Sequence, residues 1–279
     1  MKPESADPDV RTERTKNGGV TMRISRDEAY ARMRTEPEKW LYTLLDLADP
    51  VRRGGLAFYR TAGGMAVVSD YDEETTVRLY GADPLLLEEA ASDPAVGPGT
   101  RFCFCGGLPE GKIPERAGGH HLTVREDIRT LERYGLFGCP QRRPASKVPD
   151  GIRIRAMREE DRLLFPDTES WRRLDAGLES RGEGDRILLA LREDGGAAGY
   201  LWSAEAGRGW RDIVNVFVSP DMRGRGIGKA LAARYAEEAL GEGRRPYYGY
   251  ALSPESAALA RALEFEEICG ETVSLYVRD

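Results

Sequence analysis

The sequence predicts a mixed α/β protein built in two parts, and three observations predict it. Apolar runs of strand length alternate with helical patterns from about residue 25 to the end. A basic, proline-rich stretch, Gly138 to Asp150 (GCPQRRPASKVPD), breaks that pattern near the middle. A hydrophobic strand then runs through a glycine-rich turn into an amphipathic helix at Asp212 to Leu231 (DIVNVFVSPDMRGRGIGKAL).

Composition sets the frame for these elements. The 279 residues suffice for two ordinary domains, and 41% hydrophobic with 32% charged residues is globular composition. Lys and Arg total 41 against 47 Asp and Glu, a net charge of −6. That argues against sequence-independent nucleic-acid binding, which needs a basic face, and suits a cationic or neutral partner. The sequence has no run of 18 apolar residues, so no membrane-spanning helix is expected. The N-terminal twenty residues lack an apolar secretion segment. Cys103, Cys105, Cys139 and Cys269 are irregularly spaced and make no disulfide framework, which points to a reducing, cytoplasmic setting.

In chain order, residues 1–24 read as a disordered leader, 25–140 as an N-terminal α/β domain, 141–150 as a linker and 151–279 as a second domain. The first domain opens with a helix over 25–47, in which Tyr30, Met33, Trp40, Leu41, Leu44 and Leu45 recur at helical spacing behind Ser25 or Asp27 as cap. Strands follow at 56–60, 65–69 and 75–80, with Gly63-Gly64 as a hairpin turn. A helix at 84–91 opens with Pro84, a strand covers 100–105, and a helix is expected over 125–134. The second domain reads as strand 151–157, helices 159–164 and 169–180, then strands 186–192, 195–204 and 210–218. Helix 225–240, strand 247–252, helix 255–263 and strand 271–277 complete it, with no repeat visible in the residues.

The 212–231 segment carries the chemistry. Glycines at 224, 226 and 228 permit tight backbone geometry and close approach of a ligand. The helix start behind them offers unpaired N–H groups and a positive dipole end, a cradle for pyrophosphate reinforced by Arg223 and Arg225. A dinucleotide fingerprint needs the G-x-G-x-x-G spacing and an acidic residue after the next strand, and neither is present. Gly-Lys-Ser/Thr is absent too, which excludes a P-loop.

The run Val218 to Leu231, V-x-P-x-x-R-G-x-G-I-G-x-x-L, resembles the acyl-CoA signature of the GNAT (N-acetyltransferase) superfamily through Arg223, Gly226 and Gly228. A second similarity lies at Ser253 to Phe265, with Ser256, Leu259 and Phe265 in register. The resemblance implies a GNAT acyl-CoA fold over residues 151–279. The glycine N-acyltransferase-like and FR47-like two-domain branch is similar in layout, which implies a degenerate, signature-free copy of the fold in the first half. It also implies acetyl-CoA as cosubstrate, an amine on a small molecule or peptide as acceptor, and direct attack in a ternary complex. Carried over by position, Val216, Phe217 and Val218 take the pantetheine arm. Arg223, Gly224, Arg225, Gly226, Ile227, Gly228, Lys229 and Ser256 hold the rest of CoA.

Three residues depart from the pattern: Ser253 stands where Asn is frequent, Glu264 where Gly is usual, and Ala260 where many members carry the tyrosine that protonates the leaving thiolate. The acid must then come from elsewhere, and Tyr248 and Tyr250, on one face of the following strand, are the candidates. Asp212, ahead of the signature, is the candidate base; strand alternation places it with Val214, Val216 and Val218, and Asn215 opposite. Ala260 leaves open a second reading, a non-catalytic CoA-binding regulator or sensor. Cys103, Cys105, His120, His121 and Cys139 have poor spacing for zinc, so no metal is expected. Oligomeric state, monomer or homodimer, stays open.

Overall fold

The structure, a computed structural model, describes residues 12–14, 20–37, 39–48, 52–71, 74–105, 108, 112–123, 132–179, 184–206 and 209–278. The chain divides into two compact units, Met1–Leu136 with Ile268–Asp279, and Phe137–Glu267. That division differs from the expected one. Residues 141–150 carry no helix or strand, but the units divide ahead of them, between Leu136 and Phe137, and the terminal strand Phe265–Val277 leaves the second unit for the first at Ile268.

In the first unit, β1 (Thr12–Arg14) and β2 (Val20–Arg23) pair antiparallel inside the segment expected to be a disordered leader. The single helix expected over 25–47 is two, α1 (Arg26–Met33) and α2 (Leu41–Ala48). Ser25 caps α1 by accepting the Glu28 N–H at 3.3 Å, and Pro37 breaks the run because it has no N–H and crowds the preceding turn. Then come β3 (Leu56–Thr61), β4 (Gly64–Tyr71), β5 (Glu74–Tyr80), α3 (Pro84–Ala91) and β6 (Arg101–Cys105). Of these strands, β2 to β5 pair antiparallel in sequence, and β6 lies parallel to β5. Short strands β7 (Arg116–Ala117) and β8 (His120–Thr123) follow, then β9 (Glu132–Pro140). Of the helix expected over 125–134, residues 125–131 lie outside the described residues and the remainder begins β9. Leu86, Leu87, Ala90 and Ala91 of α3 pack on Val68, Val77, Leu79 and Phe102.

The second unit contains β10 (Ile152–Ala156), a 3-10 helix (Glu159–Leu164), α4 (Glu169–Leu178), β11 (Arg186–Arg192), β12 (Ala197–Glu205) and β13 (Trp210–Val218). It continues with α5 (Ile227–Gly241), β14 (Arg245–Tyr247), β15 (Gly249–Ala251) and α6 (Pro254–Ala262), and the terminal strand is β16. The sheet order is β10-β11-β12-β13-β14, antiparallel until the last pair, β13 with β14, which is parallel. Both faces are covered, so every residue from Ile187 to Leu191 is buried. Ile187, Leu189 and Leu191 meet Trp171, Leu174 and Leu178 of α4, whereas Leu188 and Ala190 meet Ile227, Leu231 and Ala232 of α5.

The two units repeat one element order: strand, two helical segments, three antiparallel strands, a helix, and a strand parallel to the last of the three. The repeat lies in topology and is not visible in the residues.

Candidate functional site

The site is built where β13 and β14 part. They pair at Trp210–Arg245, Arg211–Pro246 and Asp212–Tyr247, and no register partner follows on that side among the described residues. Instead of a single strand over 247–252, the chain leaves β13 after Tyr247. Tyr248 N–H donates to the Gly138 carbonyl at 3.3 Å, and β15 pairs with β9. Tyr235 of α5, fully enclosed, fixes the fork. Its hydroxyl accepts the Tyr247 N–H at 3.1 Å and donates to the Arg211 carbonyl. Burial first, and Asp212 nearby second, raise its pKa well above that of an ordinary tyrosine, so the hydroxyl remains a donor.

A bulge shapes the free edge. Asn215 faces Trp202, but Ser203 faces Ile213, so Val214 is an extra residue, 53% exposed. One inserted residue inverts the alternation, and this corrects the expected grouping. Ile213, Val216 and Val218 pack toward α5, while Asp212, opposite Ala204, shares the other face with Asn215 and Phe217. On that face Phe217 meets Trp171 and Tyr200 at ring distances of 5.8 and 5.5 Å, and the Asn215 amide donates to the Tyr200 hydroxyl at 3.3 Å. Asn215 is thus neither buried nor bonded there to the backbone.

Beyond Val218 the chain makes a short 3-10 turn, Pro220–Met222, and reaches α5 through Gly224 and Gly226, with φ of 75° and 80°. These are left-handed conformations that side chains other than glycine's rarely adopt. Gly226 occupies the N-cap position without a side-chain cap, so nothing on the residue itself covers the first N–H groups of the helix. The first helical bond comes only at Ala230 N–H to the Gly226 carbonyl, 3.0 Å. A Cβ on Gly228 would touch Val218 and Leu259 at 3.7 Å each.

Strand edge, turn and helix start border a cavity of about 390 Å³. Of the residues singled out from sequence, Val216, Phe217, Val218, Arg223, Gly224, Gly226, Ile227, Gly228, Tyr248 and Ser256 line it. Arg225, Lys229, Asp212 and Tyr250 do not; Arg225 faces a separate cleft beside Arg192 and Asp194. Sequence reasoning missed Met222, Ser253, Glu255 and Leu259 as lining residues. Leu259 was recoverable, being one helical turn beyond Ser256.

At the fork end of the cavity stands Tyr248. Its ring is held edge-on between Phe137 (6.0 Å) and Phe265 (5.2 Å), with its hydroxyl 3.0 Å from Ser256 Oγ. Burial raises its pKa, and the Ser256 hydrogen bond partly opposes that. Ser256 is placed by Ser253, the N-cap of α6, which accepts its N–H at 3.1 Å. Ala260, fully enclosed in the same core, offers no hydroxyl.

In the first unit, Cys103 and Cys105 are buried on β6. Among the described residues no group of three or more His, Cys, Asp or Glu side chains could hold a metal ion, and no helix is long and apolar enough to cross a membrane.

Residues 154–264 match the acetyltransferase (GNAT) family, and this part of the chain is a GNAT domain. Similar solved structures include a Drosophila protein from a structural genomics consortium, 16% identical over 93% of this chain and 99% of that one, with a TM-score of 0.49. A tandem GNAT protein from the clavulanic acid biosynthesis pathway is 15% identical over 91% and 97% of the two chains, TM-score 0.47. The aminoglycoside 6'-N-acetyltransferase AAC(6')-Ih from Acinetobacter baumannii is 23% identical over 42% of this chain and 92% of that one, TM-score 0.33. No curated protein matches the chain.

Proposed function

We propose that the second unit binds acyl-CoA, with acetyl-CoA as the natural donor, and transfers the acyl group to an amine on a small molecule or peptide. The observation that carries this reading is that one cavity contains both the unpartnered edge of β13 and the uncapped start of α5. Backbone groups of Val216 to Val218 suit the amides of a pantetheine arm, which would add to the sheet as a strand does. The N–H groups around Gly226 to Gly228, with Arg223 at the mouth, suit a pyrophosphate. Arg225 and Lys229, off the cavity, are left for the outer phosphate of CoA.

The amine has one open approach. Toward α5, the partly buried Ile213, Val216 and Val218 pack against the core, and Val216 and Val218 line the cavity that CoA would fill, so the amine is left the face of Asp212, Asn215 and Phe217. Asp212, through a water, takes the proton that the nitrogen loses on acylation. Tyr250, off the cavity, has no part in this scheme.

Calorimetry with CoA and acetyl-CoA, together with thiol release from acetyl-CoA over a panel of primary amines, tests the reading. Binding with amine-dependent thiol release is the expected result. Binding without release for any amine would favour the sensor reading, to which Ala260 lends weight. No binding would refute both.

A further inference from the structure

We propose that the acceptor carries its amine a short spacer away from an aromatic ring, with no carboxylate beside the nitrogen, and that Trp202 selects it. The inference rests on the acyl-CoA reading and adds to it the class of acceptor. Across β12 and β13 three register pairs share the face left to the amine: Tyr200 with Phe217, Trp202 with Asn215, and Ala204 with Asp212. Along β12 the side chains on that face step down from two large rings to the methyl group of Ala204, which is partly exposed. The low point at Ala204 is bordered by Trp202 along the strand and by Asp212 across it. Trp202 and Asp212 are diagonal neighbours, about 7–8 Å apart, which is the reach of a ring joined to a nitrogen by a short chain.

The indole of Trp202 is held at both ends. Its N–H donates to an Asp185 carboxylate oxygen at 3.0 Å. Its six-membered ring lies so close to α4 that a Cβ on Gly177 would stand 2.5 Å from Cζ3 and 2.8 Å from Cη2. A glycine inside the helix weakens it, and here it admits the ring. Trp202 is nevertheless only partly buried against the core under α4. A partly exposed ring fixed in advance loses little freedom when a ligand stacks on it. Flat aromatic groups suit such a wall, because ring pairs gain more than the area they bury.

Charge restricts the acceptor further. Asp212 and Asp185 both border this part of the face. The arginines next to these groups are engaged: Arg211 with Glu242 at 2.8 Å, Arg244 with Glu205 at 2.6 Å, and Arg186 with the Asp185 carbonyl at 3.1 Å. A carboxylate next to the amine would meet Asp212 with no cation to answer it.

Three primary amines test the proposal on the full chain with acetyl-CoA: phenethylamine, hexylamine, which has no ring, and phenylalanine, which adds a carboxylate beside the nitrogen. Wild-type kcat/KM should favour phenethylamine by about tenfold over hexylamine, the scale of a ring–ring contact, and by more over phenylalanine. Trp202→Ala should raise the KM for phenethylamine about tenfold, to the level of hexylamine, with the KM for acetyl-CoA unchanged. Trp202→Phe should keep most of the preference. A residue that only supported the fold would instead weaken all three amines and acetyl-CoA together. Equal use of phenethylamine and hexylamine, efficient turnover of phenylalanine, or a Trp202→Ala protein that keeps the ring preference would overturn the proposal. Should Trp202→Ala fail to fold, Trp202→Leu takes its place, and an undiminished ring preference there is the overturning result. CoA binding, measured by calorimetry, separates the two readings. Without it the acyl-CoA reading has failed first, whereas CoA binding with no turnover of phenethylamine overturns this acceptor class alone.

Discussion

Set side by side, β5–α3–β6 of the first unit and β13–α5–β14 of the second are the same construction with opposite outcomes. In the first, β5 and β6 stay paired from Thr76–Arg101 to Tyr80–Cys105, and the β4–β5 register is unbroken from Met65–Tyr80 to Tyr71–Glu74. The turn into α3 ends in Asp83, whose carboxylate accepts the Leu85 N–H at 3.0 Å, and Pro84 contributes no N–H at all. In the second, pairing stops after three residues, a bulge interrupts the neighbouring ladder, and the helix opens on a bare glycine. The fold alone is therefore no site. Three local departures make one, and each frees backbone groups that the first unit uses internally.

The largest expected break of this contrast is Asp212→Asn. If the carboxylate accepts the proton of the amine, kcat falls by ~10²–10⁴ with acetyl-CoA affinity unchanged. Near-normal turnover would reduce Asp212 to a residue of the strand fork. Next comes Gly228→Val, which sets a branched side chain between Val218 and Leu259 without demanding a positive φ. Crowding and lost phosphate contacts should weaken CoA binding by about a hundredfold or more while the fold survives, read by calorimetry and thermal melts. The same titration on the wild type should show one CoA per chain, and two would mean that the zipped unit binds as well.

Smaller effects sharpen the picture. Tyr235→Phe leaves the Arg211 carbonyl and the Tyr247 N–H without their partner and should cost about 1–3 kcal/mol in denaturant unfolding. Because the folded pKa of Tyr235 is raised, its contribution is full below the ordinary tyrosine value of about 10 and is lost as pH climbs toward the raised one. The alkaline loss of stability should accordingly be shallower in Tyr235→Phe. Least of all, Asp83→Ala should cost ~1 kcal/mol through the lost cap. It should not create a CoA site, since β5 and β6 would remain paired; a second binding event in that variant would show that the cap alone closes the first unit.

Much of this was legible in the residues. The glycine turn, the strand before it and eight of the lining residues follow from one segment and its resemblance, because a helix start and its glycines are local properties. What escaped was non-local. The bulge at Val214 leaves no mark in a run of apolar residues, yet it moves Asp212 to the face of Asn215. Nothing in Tyr247 to Leu252 announces that pairing moves from β13 to β9, since only the partner strands decide it. Pro37 was a local signal within a helical pattern, and the periodicity around it hid the break.

The path of β16 has a consequence for how the chain is made. Its residues from Ile268 onward lie between β6 and β8, pairing antiparallel with both, from Thr272–Cys105 to Tyr276–Arg101 on one side and at Tyr276–Thr123 and Val277–Leu122 on the other. The ribosome therefore finishes the whole of Phe137–Glu267 before it supplies the strand that joins β6 to β8. At about 5–20 residues per second, the first unit waits many seconds with two open strand edges, a template for pairing with other chains. The second unit has all its residues in one continuous stretch and can fold during that wait. Synthesis order and folding order are then reversed: the half that emerges first is completed last. Cutting the chain within 141–150 would yield a first fragment whose sheet lacks a central strand.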